Sequence, residues 1–172
     1  MTRDDRKPIE FIILHSTKYG DNSLVLHTLS REYGRRSLFL RSVSSAASVA
    51  GGVGRASKRG GARAAVTGLV SPLNILEGYV ATNPTSSSAM MTINGLAASF
   101  PLNSLRDNLY KASIAMFMAE VLFRVLRDGA NEEGLYDWCV RKILLLEAME
   151  GNFSNFHLLF LLELTSVLGF RP

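Results

Sequence analysis

Residues 11–41 read FIILHSTKYGDNSLVLHTLSREYGRRSLFLR. Two apolar, partly β-branched runs at 11–17 and 23–30 flank a Gly-Asp-Asn sequence at 20–22, which is typical of a turn. A second turn, rich in arginine and containing a glycine, leads into a third run at 37–43. The pattern predicts three consecutive short strands separated by two turns.

The third run has two chemically different faces. Side chains alternate across a strand, so Leu38 and Leu40 share one face, and Phe39 and Arg41 share the other. The leucine face suits the core of a barrel. The face of Phe39 and Arg41 suits an exposed surface that meets nucleic acid.

Strand signals resume after a long interruption. A run at 73–80 is followed by a turn at 83–88 and by a weaker run at 90–94. Five short strands with one long loop predict a small closed barrel of the OB type over residues 1–98, although a two-sheet sandwich also fits the pattern.

The interruption at 44–65 is dominated by Ser, Ala and Gly and keeps no apolar period, which predicts a mobile loop. Its glycines resemble a phosphate-binding loop, but Ser57 stands where the known phosphate-loop patterns need a small Gly or Ala. A flexible basic loop fits better, because its backbone can follow a phosphate chain while its side chains neutralise that chain. The cations of this loop are Arg55, Lys58, Arg59 and Arg63.

Charge is unevenly distributed along the chain. Residues 1–65 contain 12 Lys and Arg against 5 Asp and Glu, a net charge of +7, whereas residues 66–172 contain 7 against 10, a net charge of −3. This division indicates that the front half meets a polyanion, although basic loops that only keep the protein soluble would give the same pattern. Cations and aromatic residues also alternate near the first three strands, and aromatic faces stack on unpaired bases. The candidates are Lys18, Tyr19, Arg35, Arg36, Phe39 and Arg41.

The pattern becomes helical in residues 99–172, which we interpret as a second, all-helical domain of an α+β protein. Ser104 to Asp107 resembles a capping box that starts the first helix, and Asn131 is a suitable N-cap for the second. A third helix over 154–168 is apolar on nearly all sides, so we expect it to be buried between other helices. Two partner helices would only just cover it, so we expect a natural C-terminal continuation beyond this sequence.

Few residues support catalysis or metal binding. Cys139 is the only cysteine, which excludes an internal disulfide and a cysteine-based zinc cage in this chain. The three histidines, His15, His27 and His157, lack metal-ligand spacing, and no nucleophile–base set is recognisable. We therefore predict a non-enzymatic protein with no cofactor and no metal. The absence of a signal-like N-terminus or a membrane-spanning run predicts a cytoplasmic location.

Two blocks of sequence resemble the RecO family of bacterial recombination mediators. The first is the Lys18-Tyr-Gly-Asp-Asn-Ser turn between its two strands, followed by Ser30-Arg-Glu-Tyr-Gly-Arg. The second block comprises Tyr110-Lys-Ala-Ser-Ile-Ala-Met-Phe and the stretch from Asn155 that ends in Leu168-Gly-Phe. Their order and spacing cover nearly the whole chain.

The resemblance implies an OB fold that binds single- and double-stranded DNA, followed by a helical domain. It implies strand annealing, and recombinase loading in cooperation with RecR on DNA coated by single-strand DNA-binding protein, without nucleotide consumption and in association with the nucleoid. By position, it assigns phosphate contact to Lys18, Arg35, Arg36 and Arg41, with the basic loop following the third strand. Possible receivers of the acidic tail of single-strand DNA-binding protein are Arg124, Arg127, Arg141 and Lys142, which are otherwise interpreted as solvated helix charges.

This sequence differs from the family pattern in two respects. The 44–65 segment is longer and looser than the usual basic stretch, and many members continue past Leu-Gly-Phe with a four-cysteine zinc motif. Two other functional hypotheses stay open on the sequence alone. One is an interaction adaptor that binds DNA only weakly, and the other is an RNA-binding OB protein.

Overall fold

The structure is a computed structural model that describes residues 8–41, 66–81 and 91–170. Its strands are β1 (Pro8–Tyr19), β2 (Ser23–Ser30), β3 (Gly34–Leu40), β4 (Ile75–Ala81) and β5 (Met91–Ala98). Its helices are α1 (Asn103–Asp107), α2 (Leu109–Val125), α3 (Leu135–Ala148) and α4 (Phe156–Val167). The predicted basic loop at 44–65 lies outside the described residues.

The five strands close into a barrel in the order β1-β2-β3-β5-β4, and β4 returns to pair with β1. All neighbours are antiparallel except β3 and β5, which run parallel. A closed barrel of five strands followed by helices confirms the predicted α+β fold with an OB-type front. The alternative of a two-sheet sandwich is wrong for this chain.

β1 contributes to two cores by alternation, and an irregularity near its middle adds a further side chain to the helix-facing side. Ile9, Phe11 and Ile13 point into the barrel, and the pairing of β1 with β2 shifts register between Ile13 and His15. Bulges of this kind change the face on which the following side chains lie. As a result Leu14 packs in the helical core and His15 stacks on a helix residue, so two successive side chains face the helices.

The helices pack directly on the outer surface of the barrel. Barrel residues Ile12, Leu29 and Ile75 are fully buried in the same cluster as Leu122 and Leu126 of the helical part. Burial of such side chains stabilises a fold by about 1.5–3 kcal/mol each. This packing covers one end of the outer surface of β1 to β3 and leaves the other end open, which determines where a ligand can bind.

Two predicted helix starts were wrong. The backbone N–H groups of Ser104 and Leu105 donate to the Glu147 carboxylate at 2.8 and 2.7 Å, so a distant acidic residue caps α1 in place of the local capping box. A break at Asn108 then starts α2, whose first N–H groups are capped by the Asn108 side chain. Likewise α3 begins after Gly134, which has a positive φ of 76°, and not after Asn131.

The expected burial of the last helix on nearly all sides was also wrong for the described chain. One face of α4, formed by Phe156, Phe160 and Leu164, is buried against the other helices. Its other face exposes Leu158 and Leu162 by 51% and 63%. As predicted, the helix ends just before Gly169, which adopts a left-handed φ of 82°. Within the described residues, we find no helix with the length and apolar character needed to cross a bilayer.

Candidate nucleic-acid interface

The open end of the barrel surface is built by three neighbouring strands. Tyr19 on β1 pairs with Ser23 on β2, and Val25 on β2 pairs with Phe39 on β3. The Ser23 hydroxyl donates a 3.0 Å hydrogen bond to the Arg41 carbonyl, which holds the end of β3 beside the β1–β2 turn. Because residues directly opposite each other share a face, this register brings together the patch that we call the open face: Tyr19, Val25, Phe39 and Arg41.

The two aromatic residues of the open face contact each other, and Tyr19 is exposed while Phe39 is half-buried. The Tyr19 and Phe39 rings lie 5.6 Å apart between centroids at an angle of 84°, an edge-to-face arrangement. Such a pair contributes about 0.5–1.5 kcal/mol beyond its buried area, so the rings hold each other in place. Since Tyr19 is still 63% exposed, the pair presents aromatic surface to a planar ligand such as an unpaired base.

Two cations lie at this end of the barrel, Arg41 on the open face and Lys18 on the opposite side of the sheet. Arg41 is exposed at the end of β3, and Lys18 is exposed at the rim of the barrel, where its partner Leu24 packs on the barrel core. The basic connection that carries Arg55, Lys58, Arg59 and Arg63 leaves the barrel directly after Arg41. It returns at Val66, which is buried in the barrel core. These four cations follow Arg41 and precede Val66 in the sequence, and they lie outside the described residues.

Arg36 is exposed but lies away from the open face. It pairs with the buried Thr28 and falls on the same side of β3 as Leu38 and Leu40, which fill the barrel. At about 3.3 Å per residue, Arg36 and Arg41 are separated by roughly 16 Å along the strand and point to opposite sides. The structure does not bring these two predicted contacts together.

Arg35 lies under the helical part of the protein. Its residue is only 6% exposed, its Nη1 is 3.2 Å from the Asp128 carboxylate, and its guanidinium lies 4.9 Å from the centroid of the Phe123 ring. Burial lowers the pKa of Arg35, and the charge of Asp128 partly opposes that shift. In this structure Arg35 joins the barrel to the helices and is not presented to solvent.

Two of the four helical cations are ion-paired and two are exposed. Arg124 pairs with Glu120 one turn earlier on α2, and Lys142 pairs with Glu163 on α4. Arg127 and Arg141 are exposed, one in the loop after α2 and the other on α3. Two of the four predicted receivers are therefore already engaged within the helical part.

The histidines and the cysteine have structural surroundings. His15 stacks on Phe123, His27 contacts the same ring at a tilt of 55°, and His27 Nδ1 lies 2.9 Å from the Ser37 hydroxyl. Burial, together with the nearby charges of Arg35 and His15, lowers the pKa of His27. Cys139 is buried, and desolvation raises its pKa to about 12, which disfavours the reactive thiolate. Within residues 8–41, 66–81 and 91–170, no three His, Cys, Asp or Glu side chains are grouped as metal ligands.

The sequence interpretation missed Val25, which lies between the two aromatic residues of the open face. Alternation along the second run would have identified it, since Ser23, Val25 and His27 share one side of β2. It also missed Arg31, whose ion pair with Asp137 on α3 joins residues 106 positions apart. No local sequence signal indicates a contact over such a separation.

Comparison with known proteins gives a consistent result. The family described as "Recombination protein O C terminal" matches residues 106–172. A DNA repair protein RecO from Phocaeicola vulgatus is 34% identical over 161 residues, and one from Porphyromonas gingivalis is 33% identical over 167 residues. A third, from Bacteroides fragilis, is 30% identical over 161 residues. Each alignment covers 94% of this chain and 60% of the relative, so the chain spans about 60% of the length of the curated relatives that it matches.

Proposed function

Because this chain belongs to the RecO family of DNA repair proteins, we propose that it binds single- and double-stranded DNA through the open face of its barrel. We propose further that it promotes strand annealing, and recombinase loading together with RecR and single-strand DNA-binding protein. In this role it acts as a mediator without catalysing a reaction. The observation that carries the proposal is an exposed tyrosine, supported edge-to-face by Phe39, on the same face of the barrel as the exposed Arg41.

The chemistry of the open face suits both forms of DNA. Lys18 and Arg41 neutralise phosphates whatever the sequence, which supports contact with single strands and duplexes alike. Tyr19 and Phe39 offer surface for stacking, which only an unpaired base can use fully. A surface that favours unpaired strands while tolerating the duplex product is what annealing requires.

The helical part is the proposed site for protein partners. Arg127 and Arg141 are its exposed candidates for the acidic tail of single-strand DNA-binding protein, since a carboxylate-rich segment is attracted to exposed guanidinium groups. Arg124 and Lys142 would first have to exchange the carboxylates of Glu120 and Glu163. Binding of a labelled tail peptide to the full chain, compared with Arg127→Ala and Arg141→Ala variants, tests this assignment.

DNA affinity measured against salt concentration tests the main proposal. If Lys18, Arg41 and the four cations of the basic connection each contact one phosphate, log K should fall with log salt at a slope of about −4 between roughly 50 and 200 mM salt. The double variant Lys18→Ala/Arg41→Ala should reduce the magnitude of that slope by about 1.4. The matched control is Arg106→Ala, an exposed arginine on α1, which should leave the slope unchanged.

Other outcomes would favour the other hypotheses. A flat salt response with weak affinity for every nucleic acid would replace DNA binding by a protein-adaptor role. Stronger binding to structured RNA than to DNA of the same sequence would indicate an RNA-binding protein. Annealing of two complementary fluorescent strands, with and without the chain, tests the annealing step independently.

A further inference from the structure

The start of β3 is hydrogen-bonded to the loop that joins α2 to α3. The Gly129 N–H donates to the Arg35 carbonyl and the Arg35 N–H donates to the Ala130 carbonyl, both at 2.8 Å. The Arg35 guanidinium also pairs with Asp128 in the same loop. Residues 127–134, here called the α2–α3 loop, are therefore held against the barrel by a single arginine residue through its backbone and its side chain.

A second arginine, in the turn before β3, also pairs with a carboxylate of the helical part. Arg31 pairs with Asp137, at the start of α3, and lies 5.2 Å from the centroid of the Tyr136 ring. Two cations from the basic barrel are thus neutralised by two carboxylates from the acidic helical part. A carboxylate and a phosphate present similar acceptor oxygens to a guanidinium, so each acid occupies a position that a DNA phosphate could take.

The α2–α3 loop is held by polar contacts and contributes no buried residue. None of residues 127–134, all of which the structure describes, is buried. Arg35 Nε is buried and has no hydrogen-bond partner within the described part of the chain. This unsatisfied donor destabilises the arrangement in which the loop is docked on the barrel. A segment with few buried contacts and exposed backbone hydrogen bonds opens locally at low free energy, without unfolding the core beneath it.

We propose that the α2–α3 loop and the first turn of α3 together form an intramolecular competitor of nucleic acid: Asp128 and Asp137 occupy Arg35 and Arg31 in place of DNA phosphates, and DNA displaces both acids. The inference rests on the proposed DNA-binding function, and it concerns the regulation of that function. Displacement releases Arg35 from Asp128 and frees Arg31 from Asp137, on the side of β3 opposite to Arg36. The barrel then gains a second cationic strip at the end of β3 opposite to Arg41.

The test removes the two competing charges. The double variant Asp128→Asn/Asp137→Asn should bind a deoxythymidine oligomer of about 30 nucleotides more tightly at low salt, with a salt slope steeper by about 1.4 than that of the wild-type chain, because two more phosphates are contacted. The matched control is Glu132→Gln/Glu133→Gln, which removes two exposed charges from the same region without touching an ion pair of the turn. The control corrects for the general effect of net charge, so its slope should stay at the wild-type value.

A third variant identifies the recruited cation. Adding Arg35→Ala to Asp128→Asn/Asp137→Asn should remove about half of the gain in slope. If the wild-type chain binds DNA, and if Asp128→Asn/Asp137→Asn and its glutamate control have equal salt slopes, the proposed competitor is overturned while the proposed function stands. Salt-independent binding by the wild-type chain and all variants would overturn both, whereas binding that appears only in the acid variant would support the competitor.

Discussion

Replacing Gly34 with alanine should destabilise the protein far more than the same change at another glycine with the same backbone conformation. Gly34 has a φ of +61° and sits at the start of β3. A Cβ built there would lie 2.1 Å from the Ala130 carbonyl oxygen and 2.8 Å from the Asn131 Cβ, so the α2–α3 loop would have to move. That movement breaks the two hydrogen bonds between Arg35 and the loop.

The magnitude follows from three contributions. The left-handed conformation costs a non-glycine residue about 1 kcal/mol. Each of the two lost hydrogen bonds costs about 0.5–1.5 kcal/mol. Together the expected loss in the free energy of unfolding for Gly34→Ala is about 2–4 kcal/mol.

The matched control is Gly20→Ala. Gly20 has a φ of +62°, but no atom lies within 4 Å of the position that the alanine methyl group would take, so only the conformational cost of about 1 kcal/mol applies. Urea denaturation followed by the fluorescence of Trp138, the single tryptophan, measures both variants. Equal losses for Gly34→Ala and Gly20→Ala would refute the docking of the loop against this glycine.

Three further predictions concern other parts of the molecule. The pKa of His27 is lowered in the folded protein, so folding favours the neutral imidazole. The stability that the neutral imidazole contributes is fully present above the ordinary pKa of 6.5, and it is lost as the pH falls below that value. The urea midpoint should therefore drop between roughly pH 7.5 and pH 5.5, and the drop should shrink in His27→Gln; equal drops would contradict this account. In the helical part, Phe160→Ala should lower the free energy of unfolding by about 3–5 kcal/mol because the residue is 1% exposed. Leu162→Ala, at a residue 63% exposed, should lower it by less than about 1 kcal/mol. Similar losses for the two variants in chemical denaturation would contradict the exposed outer face of α4. On the open face, Tyr19→Ala should weaken binding to single-stranded DNA about tenfold and binding to duplex much less; the control Tyr110→Ala, on α2, should change neither, and a loss shared equally by both DNA forms would argue against stacking.

Much of the barrel is predictable because its signals are local. Alternation along the third run correctly places Leu38 and Leu40 in the core, and Gly20 marks the turn between β1 and β2 through its positive φ. The boundaries are less accurate, since β3 starts at Gly34 and includes the two arginines that the sequence pattern assigns to a turn. That shift of the strand start determines which side of the sheet each arginine occupies.

The contacts that could not be predicted join residues distant in sequence. Glu147 caps α1 across 43 positions, and Arg35 reaches Asp128 across 93. Both are ordinary charged residues in the sequence, and only the packing of helices on the barrel decides whether they meet solvent or each other. For the same reason, the apolar sequence of α4 indicates burial, while the described helices cover only one of its faces.

The central claim is that the open face of the barrel binds DNA, and backbone amide chemical shifts recorded during titration with a deoxythymidine oligomer test it most directly. We expect the largest shift changes at Tyr19, Val25, Phe39 and Arg41, with smaller changes in the α2–α3 loop and none at the buried face of α4. Changes concentrated on α2 to α4, with the four open-face amides unmoved, would contradict the claim.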